Sequence, residues 1–330
     1  MSTLSDVAEA AGVSPMTVSR CINQPERLSP ATRVKVEKAI DQLQYVPNAA
    51  ARSLTQGRTE TIALVLVDVT NPFFTTLSRG VEDEAAKAGY TLMLGNTDET
   101  IETERRYLNE FISRQVDGVI LSPAPGAEHH LDLLRQRDIP VVLIDRQIRG
   151  ADVDIIRGDS FEGGVLLTNH LVEVGYSDIA FVGGLSGTTS LQERLAGYRQ
   201  ALDENNLQER VYLGSYDRQS GENIVRRLLE QSEVPDAIVA ANNFVAVGAL
   251  TELRQHGLSV PDDVALACFD DVEIAAAISP FLTVASQPAY EMGCSAMEML
   301  LDRIEGSEEP PRERVFPVEM IVRKSSGALD

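Results

Sequence analysis

Residues 14–23 read SPMTVSRCIN, and the fold of the first sixty residues turns on what that helix is for. Ser14 is a strong N-cap, and Pro15 suits the first helical position because its missing N–H has no intrahelical acceptor to lose. Met16 to Arg20 are too polar for a core segment, and the run is too short to hold together alone. A helix therefore starts here in order to touch something. Upstream, TLSDVAEAAG predicts another helix, with Thr3 and Asp6 at capping-box spacing, Leu4, Val7, Ala8 and Ala11 as its apolar stripe, and Gly12 as its end. Downstream, Ser29-Pro30 opens a third and longer helix, with Val34, Ile40 and Leu43 among its apolar positions, running to Tyr45 before Pro47 stops it. Two short helices joined at a glycine turn and braced by a third predict a helix-turn-helix, whose second helix enters the major groove by its N-terminal end. The pattern alone is shared by any three-helix bundle of this size.

Composition narrows the choice. The chain has 330 residues, enough for two or three domains, and at 43% hydrophobic residues it can bury real cores. No apolar run reaches bilayer length, and MSTLSDVAEA has neither a basic nor an apolar leader region, so the expectation is a cytoplasmic protein that does not engage a membrane. Cys21, Cys268 and Cys294 are odd in number and far apart, which suits a reducing compartment. The net charge of −21 is unevenly spread. Residues 1–58 hold seven Lys/Arg against five Asp/Glu, a net of +2, so the remainder carries −23. A slightly basic head on an acidic body would approach DNA by one end only, although body acidity also serves solubility.

LSDVAEAAGVSPMTVSRCIN followed by LSPATRVKVEKAIDQLQYVPNAAARSL closely resembles the headpiece of the lac repressor and purine repressor (LacI/GalR) family of bacterial transcription factors. The resemblance implies a regulator of transcription, most simply a repressor, bound to double-stranded operator DNA. It implies that Pro15, Met16 and Arg20 face base edges, that Thr17, Ser19 and Asn23 position the DNA backbone, and that Ser14 belongs to the same DNA-binding set. Pro15 and Met16 offer no side-chain hydrogen bond, so readout there leans on shape and thymine methyls. Arg20 is then the main polar reader, a fork suited to guanine O6 and N7. NAAARSLTQGR after Pro47 is a marginal helix with Asn48 as a plausible cap, expected to order only when bound. In the family such a hinge folds on the operator, which places Asn48, Ala51 and Leu54 on DNA, with Leu54 as a minor-groove wedge; packing of Leu54 on the headpiece is the plainer alternative.

From Thr61 the pattern becomes α/β. ETIALVLVDV, GYTLMLGNT, DGVILSPA and IPVVLIDR are strand-length apolar runs separated by amphipathic stretches such as SRGVEDEAAKAG and ERRYLNEFISRQ. SDIAFVGG, DAIVAANN and DVALACFDD continue the series. Two parallel α/β halves follow. The resemblance gives them a periplasmic-binding-protein-like arrangement of two doubly wound parallel-sheet subdomains. The expected organisation is an all-α headpiece at 1–46, a hinge at 47–58 and a core at 59–330. Within that core one subdomain takes about 59–157 and 287–317, and the other about 158–286 and 318–330.

Ligands of such sheets sit beyond the carboxyl ends of the strands. There the sequence offers Asn71, Phe73 and Phe74, then Asp145, Arg146, Asn242, Asp270 and Gln287, with Arg194 and Tyr216 in the second half. Aromatic rings with amides, carboxylates and arginines are the chemistry of sugar recognition. VTNPFF, PVVLIDRQ, SLQER, SYDRQ, ANN and ASQP also resemble the binding set of bacterial ribose-binding proteins, departing at Ser122, where Asn is expected, and at Tyr216, which replaces Phe. Counting Asp145 and Asp270 against Arg146 and Arg194, the charges balance, which favours a neutral monosaccharide as the small-molecule effector. An aldonate or purine effector is the alternative within this class. A sugar- or nucleotide-processing enzyme is the alternative outside it. Four scattered histidines, His129, His130, His170 and His256, lack metal-ligand spacing, and FVGGLSG lacks both G-x-G-x-x-G and a Walker lysine, so neither catalysis nor a metal or other cofactor is expected. RVFPVEMIVRKSSGALD carries no heptads that could pair dimers, so a homodimer on a near-palindromic site is expected, located in the cytoplasm and on the nucleoid when bound.

Overall fold

The computed structural model describes residues 2–46, 57–272 and 277–327. They form two compact units, Met1–Thr59 and Glu60–Asp330. Asn48, Ala51 and Leu54, and with them nearly all of the expected hinge, lie outside the described residues.

The small unit holds α1 (Leu4–Ala11), α2 (Pro15–Asn23) and α3 (Pro30–Leu43). Each start is set by a hydroxyl cap. Thr3 and Asp6 exchange the two bonds of a capping box, Thr3 N to Asp6 Oδ2 at 2.7 Å and Asp6 N to Thr3 Oγ1 at 3.3 Å. Ser14 and Ser29 accept from the amides of Thr17 and Thr32. Gly12, at φ +66°, turns the chain between α1 and α2. Val7, Ala8, Val18, Cys21, Val36 and Ala39 close the core. Expected inward, Val34 is instead 62% exposed. The inward face of α3 follows Val36, Ala39, Ile40 and Leu43 at three- and four-residue steps, and a residue two places before Val36 lies about 200° round the helix from it. The helix also ends earlier than expected, at Gln44 in the left-handed region (φ 46°) rather than at Tyr45.

The large unit alternates β1 (Thr61–Leu66), α4 (Pro72–Lys87), β2 (Thr91–Asn96), α5 (Ile101–Ser113), β3 (Gly118–Leu121), α6 (His130–Arg135), β4 (Val141–Ile144) and β5 (Asp154–Gly158). It then continues with α7 (Ser160–Val174), β6 (Ile179–Val182), α8 (Thr189–Glu204), β7 (Val211–Tyr212), α9 (Arg218–Glu230), β8 (Ala237–Ala240), α10 (Asn243–Gln255) and β9 (Ala265–Phe269). The last elements are β10 (Thr283–Ser286), α11 (Ala289–Ile304), β11 (Glu313–Phe316) and β12 (Glu319–Ile321). Two six-stranded sheets result, ordered β11-β5-β4-β3-β1-β2 and β12-β10-β9-β8-β6-β7. Among the described residues all strand pairings are parallel except β12 on β10. Central strands such as Ile62–Leu66 and Ala265–Phe269 are buried on both faces, which is why they read as unbroken apolar runs.

The chain passes between the sheets after β5, after β10 and between β11 and β12. The first two passages touch, since a Cβ at Gly158 would collide with Gln287. Three helix pairs cross at reciprocal glycines. Gly80 lies against the backbone of Tyr290 and Gly293 against that of Leu77; Gly164 and Gly197 bring α7 and α8 together, and Gly221 and Gly248 do the same for α9 and α10. Without Cβ atoms the helices approach to backbone contact, which clamps them onto their sheets.

Candidate functional site

Parallel register brings the C-terminal ends of β1, β2, β3 and β4 to one edge of the first sheet, with Leu66 opposite Asn96 and Leu121 opposite both Val65 and Leu143. The second sheet aligns β6, β8 and β9 in the same way. Between these edges lies a cavity of about 400 Å³, within the range of small-molecule sites.

Nine of the eleven residues expected from sequence line it: Asn71, Phe73, Phe74, Asp145, Arg146, Arg194, Tyr216, Asn242 and Asp270. Ser122 and Gln287 do not. Ser122 is fully buried, its amide completing the β3 ladder on the Val65 carbonyl and its Oγ without a protein partner. Gln287 stands behind the wall, where its Nε2 donates to Asp270 Oδ1 at 2.7 Å.

The two asparagines are committed to the scaffold. Asn71 caps α4 and exchanges bonds with Asn243 of the other half, Nδ2 to Oδ1 at 3.1 Å one way and 3.2 Å the other. Asn242 caps α10 and donates to the Tyr216 carbonyl. Phe73 and Phe74 form an edge-to-face pair, centroids 5.0 Å apart, and both are largely buried.

Asp145 and Asp270 occupy matching places, each one residue beyond its strand and each in the left-handed region, at φ 67° and 63°. Burial pushes the Asp145 carboxyl up to about 6, against the pull of Arg146 and Arg194. Burial likewise raises Asp270, opposed by Arg194 and by the Gln287 amide. Arg194 spends Nη1 on the Ala241 carbonyl at 2.6 Å, lies 3.8 Å from Asp270 Oδ2, and stacks on Phe269 at 4.2 Å. Arg146 stacks over Tyr216 at 5.3 Å and is forked by Glu99, at 2.5 and 2.7 Å.

Glu99 was not anticipated, nor were Asp68, Asp98, Ser190 and Asp217, all of which line the cavity. The expected balance of two carboxylates against two guanidinium groups is therefore corrected: six acidic residues, Asp68, Asp98, Glu99, Asp145, Asp217 and Asp270, line the cavity with two arginines, Asp98 and Asp217 being exposed and bonded to Asn96 and to the Ser220 amide. Asp68, Asp98 and Glu99 follow apolar runs directly, so the strand-end rule already pointed at them. Also unforeseen is a fully buried pair, Glu104 and His130 at 2.6 Å, in which Glu104 additionally accepts from the Ala124 amide and so braces the loop after β3. Among the described residues no group of three or more His, Cys, Asp or Glu could hold a metal ion, and no helix is long and apolar enough to cross a membrane.

In the small unit α2 buries Val18 and Cys21 and leaves Pro15, Met16 and Arg20 exposed, Met16 at 69%. Met16 and Arg20, four residues apart, share a face. Their polar neighbours bond one another in part, with Ser14 Oγ and Thr17 Oγ1 at 2.9 Å and Asn23 Nδ2 donating to Ser19 Oγ at 3.3 Å, while Asn23 Oδ1 finds no partner among the described residues.

Residues 3–48 match the family described as bacterial regulatory proteins, lacI family, and residues 168–326 match the periplasmic binding protein-like domain. The HTH-type transcriptional repressor PurR of Vibrio campbellii is 36% identical over 334 residues, covering all of both chains. A solved complex of the transcriptional regulator CelR with cellobiose is 33% identical and covers 98% of this chain and all of that one, at a TM-score of 0.74. The lac repressor dimer bound to operator and the anti-inducer ONPF is 27% identical, covers 98% and 99%, and has a TM-score of 0.87.

Proposed function

Since this chain belongs to the lacI family of bacterial regulatory proteins and is a DNA-binding transcriptional regulator controlled by a small molecule, we propose that its effector is a neutral monosaccharide held in the cavity between the two body sheets. The observation that carries this is the lining: six carboxylates, with both arginines already engaged by protein acceptors. A hydroxyl can donate to a carboxylate and still accept from another group, and such charge-assisted bonds are the strong ones. A carboxylated ligand would meet like charge instead. Phe73, Phe74 and Tyr216 supply faces for the C–H side of a ring. That CelR was solved with cellobiose supports a sugar.

A ligand touching Asp145 and Arg146 from one half and Asp270 and Arg194 from the other binds one arrangement of the halves better than another, and only such a difference can shift a conformational equilibrium. At the other end, Arg20 reads a guanine and Met16 a thymine methyl. A two-fold dimer, resident in the cytoplasm, presents both copies of α2 to a near-palindromic operator and acts as a repressor. Isothermal calorimetry of the full chain against aldoses, the matching aldonates and purines tests the effector. An aldose is expected to bind, with its aldonate weaker; tight binding of an aldonate or purine with no neutral sugar bound overturns the proposal.

A further inference from the structure

The loop after β2 places two consecutive non-glycine residues, Asp98 and Glu99, in the left-handed region, at φ 50° and 59°. That conformation is disfavoured for a residue with a Cβ, and local bonds hold it. Asn96 Nδ2 donates to Asp98 Oδ1 at 2.6 Å, Asn96 Oδ1 accepts from the Val69 amide, and Thr100 returns both its amide and its hydroxyl to the Thr97 carbonyl. The outcome is to aim one carboxylate. Glu99 takes both terminal nitrogens of Arg146, Nη1 at 2.5 Å and Nη2 at 2.7 Å, in the two-point geometry that a guanidinium would otherwise offer to an acid. Arg146 is 4% exposed and its guanidinium packs against the Tyr216 ring at 5.3 Å, which restrains its rotation.

We propose that Glu99 is the specificity-determining residue of the cavity, an internal carboxylate that fills the Arg146 fork and thereby excludes sugar acids. The inference rests on the assignment of this cavity to a sugar, and it names the group that sets which sugars enter. Emptying the fork leaves Arg146 with only long contacts, Nη1 to the Pro123 carbonyl and Nε to Asp145 Oδ2, both at 3.5 Å, and frees Nη2 altogether; a ligand carboxylate is the group that restores the two-point bond. Arg194 is held differently, with Nη1 on the Ala241 carbonyl, Nε on Ser160 Oγ at 3.4 Å and Nη2 3.8 Å from Asp270 Oδ2.

The test is calorimetry of wild type, Glu99→Ala and Glu99→Gly with ribose, glucose, ribonate and gluconate. Glycine relaxes the left-handed backbone at this position, so the second variant remains informative where alanine impairs folding. Both variants are expected to gain at least tenfold in affinity for an aldonate, and adding Arg146→Met to Glu99→Gly is expected to cancel that gain. No gain in Glu99→Gly, or a gain that survives loss of Arg146, overturns the proposal. An aldonate gain in a protein whose wild type binds no neutral sugar upholds the role of Glu99 and sinks the neutral-sugar assignment. Aldose binding by wild type without any gain in the variants does the reverse.

Discussion

Asp145 has a single acid–base consequence that can be signed. Its carboxyl is pushed up to about 6 by burial, above the unfolded value of 3.8, so the stability tied to its bound proton is fully present below about pH 4 and lost as pH rises through 6. Asp145→Asn keeps the volume and removes the ionisation. Relative to wild type it should gain stability between pH 4 and 7.5, by up to ~3 kcal/mol, seen as a difference in Tm that widens with pH; a constant difference would show that the buried charge costs nothing. A hydroxyl donating to Asp145 favours its ionised form, so affinity for the proposed sugar should also fall as pH drops through 6. At this scale much of the site was legible, because parallel strands deliver their next residues to one edge and Asp145, Arg146 and Asp270 stand immediately after such strands. What was not legible was commitment. Nothing in the string NTDET says that Glu99 reaches Arg146, 47 residues on, or that the Asn71 and Asn242 amides are taken by Asn243 and by the Tyr216 carbonyl, because partners distant in sequence are set by packing.

The helices show the same division. Starts were legible because a cap is local chemistry: Thr3, Ser14 and Ser29 each lie three residues before the amide or side chain they engage. The rotation of α3 was not, since Val34 and Val36 are chemically alike and only the neighbouring helices distinguish them. Nor were the glycine crossings, as Gly164 and Gly197 look like helix weaknesses in isolation. A Cβ at Gly164 would strike the carbonyl of Arg194. Gly164→Ala should therefore cost roughly 1–3 kcal/mol of packing strain, offset by up to ~1 kcal/mol of helix propensity. It should also weaken effector binding, because α8 carries Arg194 into the cavity. Urea unfolding and calorimetry on the same variant check both effects. Unchanged affinity at lowered stability would separate the helix crossing from the site.

The whole molecule joins a DNA-reading head of net +2 to a body of net −23, so specificity for DNA has to come from a few exposed side chains rather than from bulk charge. Arg20→Ala should lose roughly 1–3 kcal/mol of discrimination at one base pair per half-site, while Met16→Ala should cost less and act where a thymine lies. Binding-site selection with both variants tests this, and an unsymmetrical consensus would remove the dimeric reading. The triple passage between sheets bears on genetics. Neither half of the body is encoded by one uninterrupted stretch, and the last described residues serve both. Phe316 ends the outer strand of the first sheet, Ile321 pairs with Val284 in the second, and Ser325 bonds the Leu266 carbonyl and the Thr283 amide. A stop codon just before residue 313, usually among the mildest truncations, strips the outermost strand from both sheets at once. In a screen for lost regulation, late nonsense alleles should thus be as severe as early ones, and no fragment ending there should complement them.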